Sequence, residues 1–433
     1  MTDLHRVLTE ATEHVGSPDL AGRALAGAHR RRVRRAAAGA LAAVVLVGGG
    51  VAWAVQDRVP HADVVDTPVP TPDGGTVDPA DLPAVPAIDP GAVQALWDPA
   101  GAGRLPWVDL GLPESLQPPV ETYDPPIESP PLVSMRGARA VVARDDRLYL
   151  LDTDGTRGWY SLEWPDEPLA PADDYLALSR DGTMLSFAGR DGLWSREVRS
   201  SRWRRVDYPD GFRAGSEYGV SIEALVAEMA YLSDGEDRWQ IDVQTGRADE
   251  ISVPPYVYDV ELAPNGVVLG LGSAGRGPYF VRALVEMIGS RTSVTRADAL
   301  QSLTGLAADE DSLVATRGVS TPPGDAPDDT WRNGLVALDR DDWSTRAYLP
   351  IRDPRWAYTD GGLLTSIAWL DADTVLAQVV APDGAYDAGE LTLFTWNVET
   401  GELRKVAALP AGQRFDVAID LLGSLGSIAG VVQ

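Results

Sequence analysis

The chain has 433 residues, of which 64 are acidic and 37 are Lys or Arg, so its formal net charge is −27. It contains no cysteine, which excludes disulfide bonds, thiolate metal sites and cysteine nucleophiles. A surface this acidic repels phosphate backbones and therefore argues against a nucleic-acid partner.

The N-terminal part predicts a membrane anchor. Residues 36–55, AAAGALAAVVLVGGGVAWAV, carry no charge, and as a helix rising about 1.5 Å per residue they can cross a hydrocarbon core of about 30 Å. The basic helical segment before them, residues 1–35, is predicted to be cytoplasmic because positive residues flank membrane helices on that side. The arginines that set this orientation are Arg30, Arg31, Arg32, Arg34 and Arg35. We therefore expect a single-pass cell-membrane protein whose later residues are extracytoplasmic.

Two alternatives concern the same region. Ala52-Trp53-Ala54 has the spacing of a signal-peptidase site, although the apolar run and the segment before it are longer than in ordinary signal peptides. Residues 2–15 carry an amphipathic stripe that predicts a short helix. This helix is expected either to dock on a cytoplasmic regulator, such as a sigma factor, or to rest on anionic lipid.

A proline-rich region follows the predicted anchor. Residues 56–104 are predicted to be an extended linker, because frequent prolines disfavour helix and sheet and favour polyproline II. Residues 105–134 remain rich in proline but add Leu105, Trp107 and Leu110. We expect this second part to pack as a strap on the folded domain.

From residue 135 to 423, short apolar runs alternate with Asp-Gly, Asn-Gly and Thr-Gly turns, which is typical of successive β-hairpins. Three hairpins superimpose with Val198, Val243 and Val398 in register. Their sequences are LWSREVRSSRWRRV (193–206), RWQIDVQTGRADEI (238–251) and LFTWNVETGELRKV (393–406). A different hairpin precedes each of them, which makes four short strands in a repeat.

Four strands per repeat of about 40 to 50 residues predict the blades of a β-propeller. The fold class is therefore all-β, with six blades expected and seven as the alternative. The expected blades are 138–164, 172–208, 218–254, 256–298, 302–351 and 364–410. The first lacks an innermost strand, which FDVAIDLLG (415–423) is expected to supply, so that the ring closes without an open sheet edge. Residues 424–433 form a C-terminal tail.

Two motifs resemble the hairpins of TolB-like propellers, S-P-D-G-x-x-L-A-F and W-x-x-D-x-x-T-G. They are SRDGTMLSF, from Ser179 to Phe187, and WQIDVQTG, from Trp239 to Gly246. The structural histidine of WD repeats has no counterpart here. The order of basic segment, membrane helix, proline-rich stalk and propeller is similar to that of a group of actinobacterial membrane proteins with WD- or TolB-like domains. The resemblance implies a fold and no particular reaction, because propellers host both binding and catalysis.

The histidines His5, His14, His29 and His61 all precede the predicted propeller. Triads with histidine, cysteine nucleophiles and histidine metal sites are therefore excluded from it. Paired carboxylates remain available for glycoside cleavage, and carboxylate oxygens for calcium. The acidic clusters, which are 309–311, 328–329 and 341–342, are expected to be solvated turns. We predict no catalytic residue, metal site or cofactor.

One face of the predicted propeller carries long loops in the last three blades. Arginine and aromatic side chains are the usual anchors of interfaces. Those on the long loops are Arg276, Trp331, Arg332, Arg355, Trp356, Tyr358 and Tyr386. They form the candidate binding face, unless the aromatic rings pack on their own blades.

The sequence therefore predicts a membrane-anchored, non-enzymatic propeller that binds a protein or cell-envelope ligand, as a sensory or regulatory module. One alternative is a carboxylate-dependent carbohydrate-active enzyme. The other is an anti-sigma-like transmembrane regulator with a cytoplasmic partner.

Overall fold

A computed structural model describes most of the chain after residue 81. The described residues are 82–118, 135–144, 147–153, 158–165, 176–190, 192–200, 202–212, 220–226, 228–233, 238–251, 257–262, 268–274, 281–288, 291–300, 302–318, 332–352, 364–380, 390–410 and 414–422. The predicted membrane helix 36–55 and the arginines before it lie outside these residues. Within the described part of the chain, no helix is long and apolar enough to cross a membrane.

The described strands number 24, and they form six four-stranded antiparallel sheets. In chain order they are β1 (Ala138–Arg144), β2 (Arg147–Asp152), β3 (Trp159–Glu163), β4 (Leu176–Leu178), β5 (Met184–Ala188), β6 (Gly192–Glu197), β7 (Arg204–Asp207), β8 (Ser221–Val226), β9 (Met229–Ser233), β10 (Arg238–Asp242), β11 (Ala248–Ile251), β12 (Val257–Leu262), β13 (Val268–Ala274), β14 (Val281–Ile288), β15 (Arg291–Arg296), β16 (Ser302–Ala308), β17 (Ser312–Gly318), β18 (Gly334–Asp339), β19 (Thr345–Pro350), β20 (Leu364–Asp371), β21 (Thr374–Val380), β22 (Leu391–Asn397), β23 (Leu403–Leu409) and β24 (Arg414–Val417). The described helices are short 3-10 turns at Pro90–Ala92, Pro99–Arg104, Asp298–Leu300 and Ile419–Leu421.

Each sheet is one blade, with its strands lettered A to D from the inside outwards. Blade 1 has the order β24-β1-β2-β3, and blades 2 to 6 take β4 to β23 four at a time in chain order. The A strands β24, β4, β8, β12, β16 and β20 contact one another in this order, and β20 contacts the 3-10 turn Ile419–Leu421 that follows β24. The chain is a six-bladed β-propeller, so the predicted fold class is confirmed, with six blades rather than seven.

The predicted closure of the ring is also confirmed. Strand β24 pairs with β1 from Ala140 opposite Val417 to Ala143 opposite Arg414, and it supplies the missing innermost strand of blade 1. The carboxylate of Asp416 accepts a hydrogen bond from the backbone N–H of Leu178, at 2.7 Å, and so joins this strand to blade 2. The last described strand thus completes the first blade.

The core lies between successive blades, because both faces of each sheet are covered by a neighbouring sheet. Strand β17 shows this most clearly, since all seven of its residues are buried. Strand β5 is likewise buried along its whole length. Apolar side chains therefore occupy consecutive positions, as at residues 313–315 of β17 and 184–185 of β5, and the polar side chains of these strands are buried as well.

A proline-rich strap, residues 82–118, runs along the outer rim of blades 4, 5 and 6. It makes parallel bridges to the outermost strands, of which three are Ala84 to Arg296, Val93 to Tyr348 and Trp107 to Lys405. These bridges occupy the free edges of β15, β19 and β23. A covered edge has no unpaired row of N–H and C=O groups with which another chain could pair.

The packed strap begins earlier than the predicted one. Its first backbone contacts are at Pro83 and Val85, on either side of Arg296, whereas the sequence placed residues up to 104 in a free linker. The reason is that Val85, Ile88 and Trp97 are buried between the rims of the blades. The remainder of the predicted strap, 119–134, lies outside the described residues.

The two ends of the propeller carry different loops. Connections between A and B strands and between C and D strands lie at one end, called the AB/CD face. Connections between B and C strands and from a D strand to the next blade lie at the other, called the BC/DA face. The sequence analysis predicted its candidate binding face on loops of the BC/DA kind.

Candidate binding sites

Of the residues predicted to form the binding face, the structure describes Arg332 alone. Arg276, Trp331, Arg355, Trp356, Tyr358 and Tyr386 lie outside the described residues. Arg332 is half-buried at the end of the long B–C loop of blade 5. The structure therefore does not test whether the predicted set lies together, and this set stays a prediction.

The backbone of Arg332 is held in place by two buried side chains. Its carbonyl oxygen accepts hydrogen bonds from the Tyr348 hydroxyl and, at 3.3 Å, from Nη1 of Arg317. Arg317 is only 1% exposed, and its Nε donates to the carbonyl of Leu300 at 3.0 Å. The guanidinium carbon of Arg317 also lies 5.3 Å from the centroid of the Tyr348 ring. This buried arginine fastens one end of the loop that carries Trp331 and Arg332.

Three carboxylates of the inner strands have side chains that the structure describes, and each has a partner. Asp371 on β20 accepts a hydrogen bond from the backbone N–H of Asp373. Glu223 on β8 forms an ion pair with Arg238, at 3.0 Å between Oε1 and Nε. Asp416 on β24 accepts from the backbone of Leu178 and of Val417. None of the three side chains resembles a carboxylate held ready for glycoside cleavage. Among the described residues, no group of three or more His, Cys, Asp or Glu is placed to hold a metal ion.

The acidic clusters are parts of turns. Asp309 Oδ1 accepts hydrogen bonds from the N–H groups of Asp311 and Ser312, and burial raises the pKa of the Asp309 carboxyl. Asp341 and Asp342 are exposed, as expected for a solvated turn. Asp309 differs from that expectation because it is half-buried. Residues 328–329 lie outside the described residues.

The aligned C–D hairpins occupy equivalent positions in three blades. The backbone N–H groups of Val198, Val243 and Val398 each donate to a carbonyl in the A–B turn of the same blade, at 2.8 Å. The three valine side chains are at most 3% exposed. In blades 3 and 6 the hairpin closes with Thr-Gly. Blade 2 has no glycine there, and one additional residue separates its strands β6 and β7.

A polar pocket of about 180 Å³ lies between the C–D hairpins of blades 2 and 3, on the AB/CD face. Its charged lining consists of Arg196, Arg202, Arg204 and Glu197. Glu197 pairs with Arg199, which is not part of the lining, at 3.3 Å. The lining therefore has an excess of positive charge within a strongly acidic protein.

Arg196 forms the floor of this pocket, on strand β6. It is 5% exposed, and its guanidinium carbon lies 5.2 Å from the centroid of the Trp203 ring. Nη2 donates to the carbonyl of Ser200, whereas the buried Nε has no hydrogen-bond partner among the described residues. Burial lowers the pKa of the Arg196 guanidinium to about 10, so the group remains charged at neutral pH.

The two arginines at the mouth of the pocket are exposed. Arg202 follows the hairpin tip and Arg204 begins strand β7. The nearby carboxylate of Asp242 has a lowered pKa. Partial burial acts in the opposite direction there, but hydrogen bonds from Thr245 and Gln244 and the charge of Arg204 outweigh it. Asp242 already accepts the N–H groups of Gln244 and Thr245, at 2.8 and 2.9 Å.

A cluster of arginines in the sequence marks this pocket, but the repeat pattern draws attention away from it. Five arginines occur within ten residues of blade 2, at Arg196, Arg199, Arg202, Arg204 and Arg205, although acidic residues greatly outnumber basic ones in the chain. Aligning the hairpins emphasises the shared valine and aromatic positions and obscures this local difference. The placement of the pocket beside blade 3 could only come from the fold.

Comparisons with known proteins find similarity in structure alone. No family model matches the chain, and no curated protein matches it in sequence. A protein described as TolB from Agrobacterium tumefaciens matches with 14% identity and a TM-score of 0.40, over 64% of this chain and 91% of that one. TolB from Acinetobacter baumannii matches with 14% identity and a TM-score of 0.38, over 64% of each chain.

The tricorn protease is also matched, with 14% identity and a TM-score of 0.33 over 62% of this chain. The match spans only 34% of the protease chain.

Proposed function

We propose that this protein is a membrane-anchored, extracytoplasmic module that binds a protein or cell-envelope ligand and catalyses no reaction. The observation that carries the proposal is the position of the strap. Its described backbone bridges all go to the outermost strands of blades 4 to 6 or to the residue after one of them. The strap therefore occupies mainly the rim, where it covers sheet edges. It also reaches the C–D turn of blade 6, where Gln94 donates to the carbonyl of Val398.

The rigidity of the scaffold supports a binding role. The ring is closed by β24, and loops held on such a scaffold are where recognition residues are usually found. Arg317 and Tyr348 fix the backbone at the end of the longest B–C loop. The inner carboxylates with described side chains, by contrast, are committed to an ion pair (Glu223) and to backbone groups (Asp371 and Asp416).

The membrane topology can be tested directly because the chain has no cysteine. A cysteine introduced by Asp207→Cys, at a side chain that is 85% exposed on the propeller, provides a single labelling site. Glu10→Cys provides the matched site in the predicted cytoplasmic segment. Intact cells expressing each full-length variant are treated with a membrane-impermeant maleimide, before and after lysis.

The proposal predicts that the Asp207→Cys chain is labelled in intact cells, whereas the Glu10→Cys chain is labelled only after lysis. A membrane-bound chain whose two sites are both protected until lysis would contradict the extracytoplasmic location. If the mature chain instead begins near residue 55 and has lost the Glu10→Cys site, the apolar segment is a cleaved signal peptide and not an anchor.

A further inference from the structure

We propose that the pocket between the C–D hairpins of blades 2 and 3 binds a phosphate-type oxyanion. The inference deepens the proposed binding function and rests on it in one respect: the phosphate is taken to belong to the ligand. Its residues are Arg196 at the floor, Arg202 and Arg204 at the mouth, and Gln244 on the opposite hairpin.

The charges around the pocket favour an anion. Arg196 is almost completely buried, and no described carboxylate forms an ion pair with it. A buried cation without a counter-ion is costly, because desolvation is compensated only by pairing and hydrogen bonding. Stacking on Trp203 offsets part of this cost. An anion in the pocket would supply the missing counter-charge.

The donors suit a tetrahedral oxyanion. Guanidinium groups donate two parallel hydrogen bonds to phosphate or carboxylate oxygens. Three such groups from one hairpin and the Gln244 amide from the other line the pocket. The one carboxylate in the lining, Glu197, pairs with Arg199. A planar carboxylate presents only two oxygens and leaves some of these donors without an acceptor. The pocket volume of about 180 Å³ is also roughly ten times what one water molecule requires, so the pocket has room for a group larger than water.

The rest of the protein limits the size of the anion. Because the protein is strongly acidic, its long-range field repels polyanions, and only the local arginine cluster is attractive. The geometry therefore points to a single phosphate group, either free or at the end of a larger ligand, and away from nucleic acid.

The test is isothermal titration of the purified full-length chain, in mild detergent and a buffer without phosphate, at constant ionic strength. The probes are inorganic phosphate, glycerol 3-phosphate, acetate and chloride. We expect saturable binding of phosphate at one site and no saturable binding of acetate or chloride. Glycerol 3-phosphate binding as well as phosphate would identify a ligand-borne group, whereas binding of phosphate alone would identify the free ion.

The variants Arg202→Gln and Arg204→Gln remove one exposed donor each and should weaken phosphate binding about tenfold. The matched control is Arg199→Gln, which makes the same charge change on the same hairpin at a side chain that is 70% exposed and outside the lining. It should change the affinity less than about twofold. Arg196→Lys retains the charge but loses the planar fork, so it should also weaken binding.

Three results would overturn the inference: no saturable phosphate binding, equal binding of acetate, or equal losses in Arg199→Gln and Arg202→Gln. The proposed function is judged separately. If phosphate does not bind but cells still yield the same cross-linked envelope ligand with wild type and Arg202→Gln, only the present inference fails.

Discussion

Asp242 and Asp309 lie in similar hairpin turns, yet their carboxyl pKa values shift in opposite directions. Each is half-buried, and each accepts two backbone N–H groups. Burial raises the pKa of Asp309, and the hydrogen bonds from Asp311 and Ser312 only partly oppose it. At Asp242, burial is outweighed by hydrogen bonds and by the charge of Arg204, so its pKa is lowered.

These directions predict opposite effects on stability. The ionised Asp242 stabilises the fold above its unfolded pKa, and this contribution is lost as the pH falls through its lower folded pKa. Asp242→Asn should therefore lower the free energy of unfolding by about 1 kcal/mol at neutral pH, with a smaller difference in acid. Burial disfavours the ionised form of Asp309 in the folded protein. Asp309→Asn should therefore raise the free energy of unfolding at neutral pH, and this gain should shrink in acid, where Asp309 is protonated.

Urea unfolding of the two variants beside the wild type, at neutral pH and at about pH 3, below the usual aspartate pKa, checks the signs. Changes of the same sign in both variants at neutral pH would contradict the assignment.

Arg317 is predicted to be essential to blade 5. Replacing it with methionine removes donors from the carbonyls of Leu300 and Arg332, which then stay buried without these partners. The free energy of unfolding should fall by about 3 kcal/mol. Arg199→Met, at an exposed arginine, is the control and should change it by less than about 0.5 kcal/mol. Equal effects in a denaturant titration would show that burial of Arg317 is unimportant.

Sequence periodicity predicts residues that repeat and misses those that differ between repeats. Val198, Val243 and Val398 were aligned from spacing alone, and all three make the same hydrogen bond to an A–B turn. The role of Arg196 could not be predicted, because its contacts with Ser200 and Trp203 and its place beside blade 3 depend on how the hairpin folds. The partial burial of Asp309 could not be predicted from the sequence for the same reason.

At the scale of elements, the strap is predicted to add to the stability of the propeller. Leu112 is fully buried against blades 6 and 1, whereas Leu105 is half-buried in the same strap. Leu112→Ala should lower the free energy of unfolding by about 2 to 5 kcal/mol, and Leu105→Ala by clearly less. Denaturant unfolding of the two variants measures this, and losses of equal size would contradict tight packing of the strap.

The closing strand provides a second test. A chain that ends at residue 413 lacks β24, so β1 loses its inner partner and Leu178 loses the carboxylate of Asp416. Its melting temperature should fall by more than about 10 °C, since several kcal/mol are removed. A chain ending at Gly423 retains β24 and should melt within about 2 °C of the wild type. Equal melting of the two chains would show that the ring does not need this strand.

Turn spacing sufficed to predict the blades, because Gly-containing turns mark hairpins that tertiary packing does not alter. The start of the strap was misplaced for a physical reason. Val85, Ile88 and Trp97 are isolated among prolines and follow neither the strand nor the helix period. Their burial depends on grooves between blade rims, which sequence patterns do not reveal.

At the scale of the whole molecule, the fold explains how a strongly acidic chain can still offer a site for an anion. The negative net charge repels anions from the protein as a whole. Three arginines of one hairpin, beside the next blade, make the potential positive locally. The strap covers the outer edges of three blades, so that the loop faces are the surfaces on which a ligand is expected.

The most direct test of the binding role is a cross-linking pull-down from membranes, with the full-length chain beside a version lacking residues 2–28. We predict that both capture the same extracytoplasmic protein or envelope component in equal amounts, because the propeller holds the binding site. Capture of a cytoplasmic regulator by the full-length chain alone, with no extracytoplasmic component in either sample, would contradict this account and make the protein an anti-sigma-like regulator.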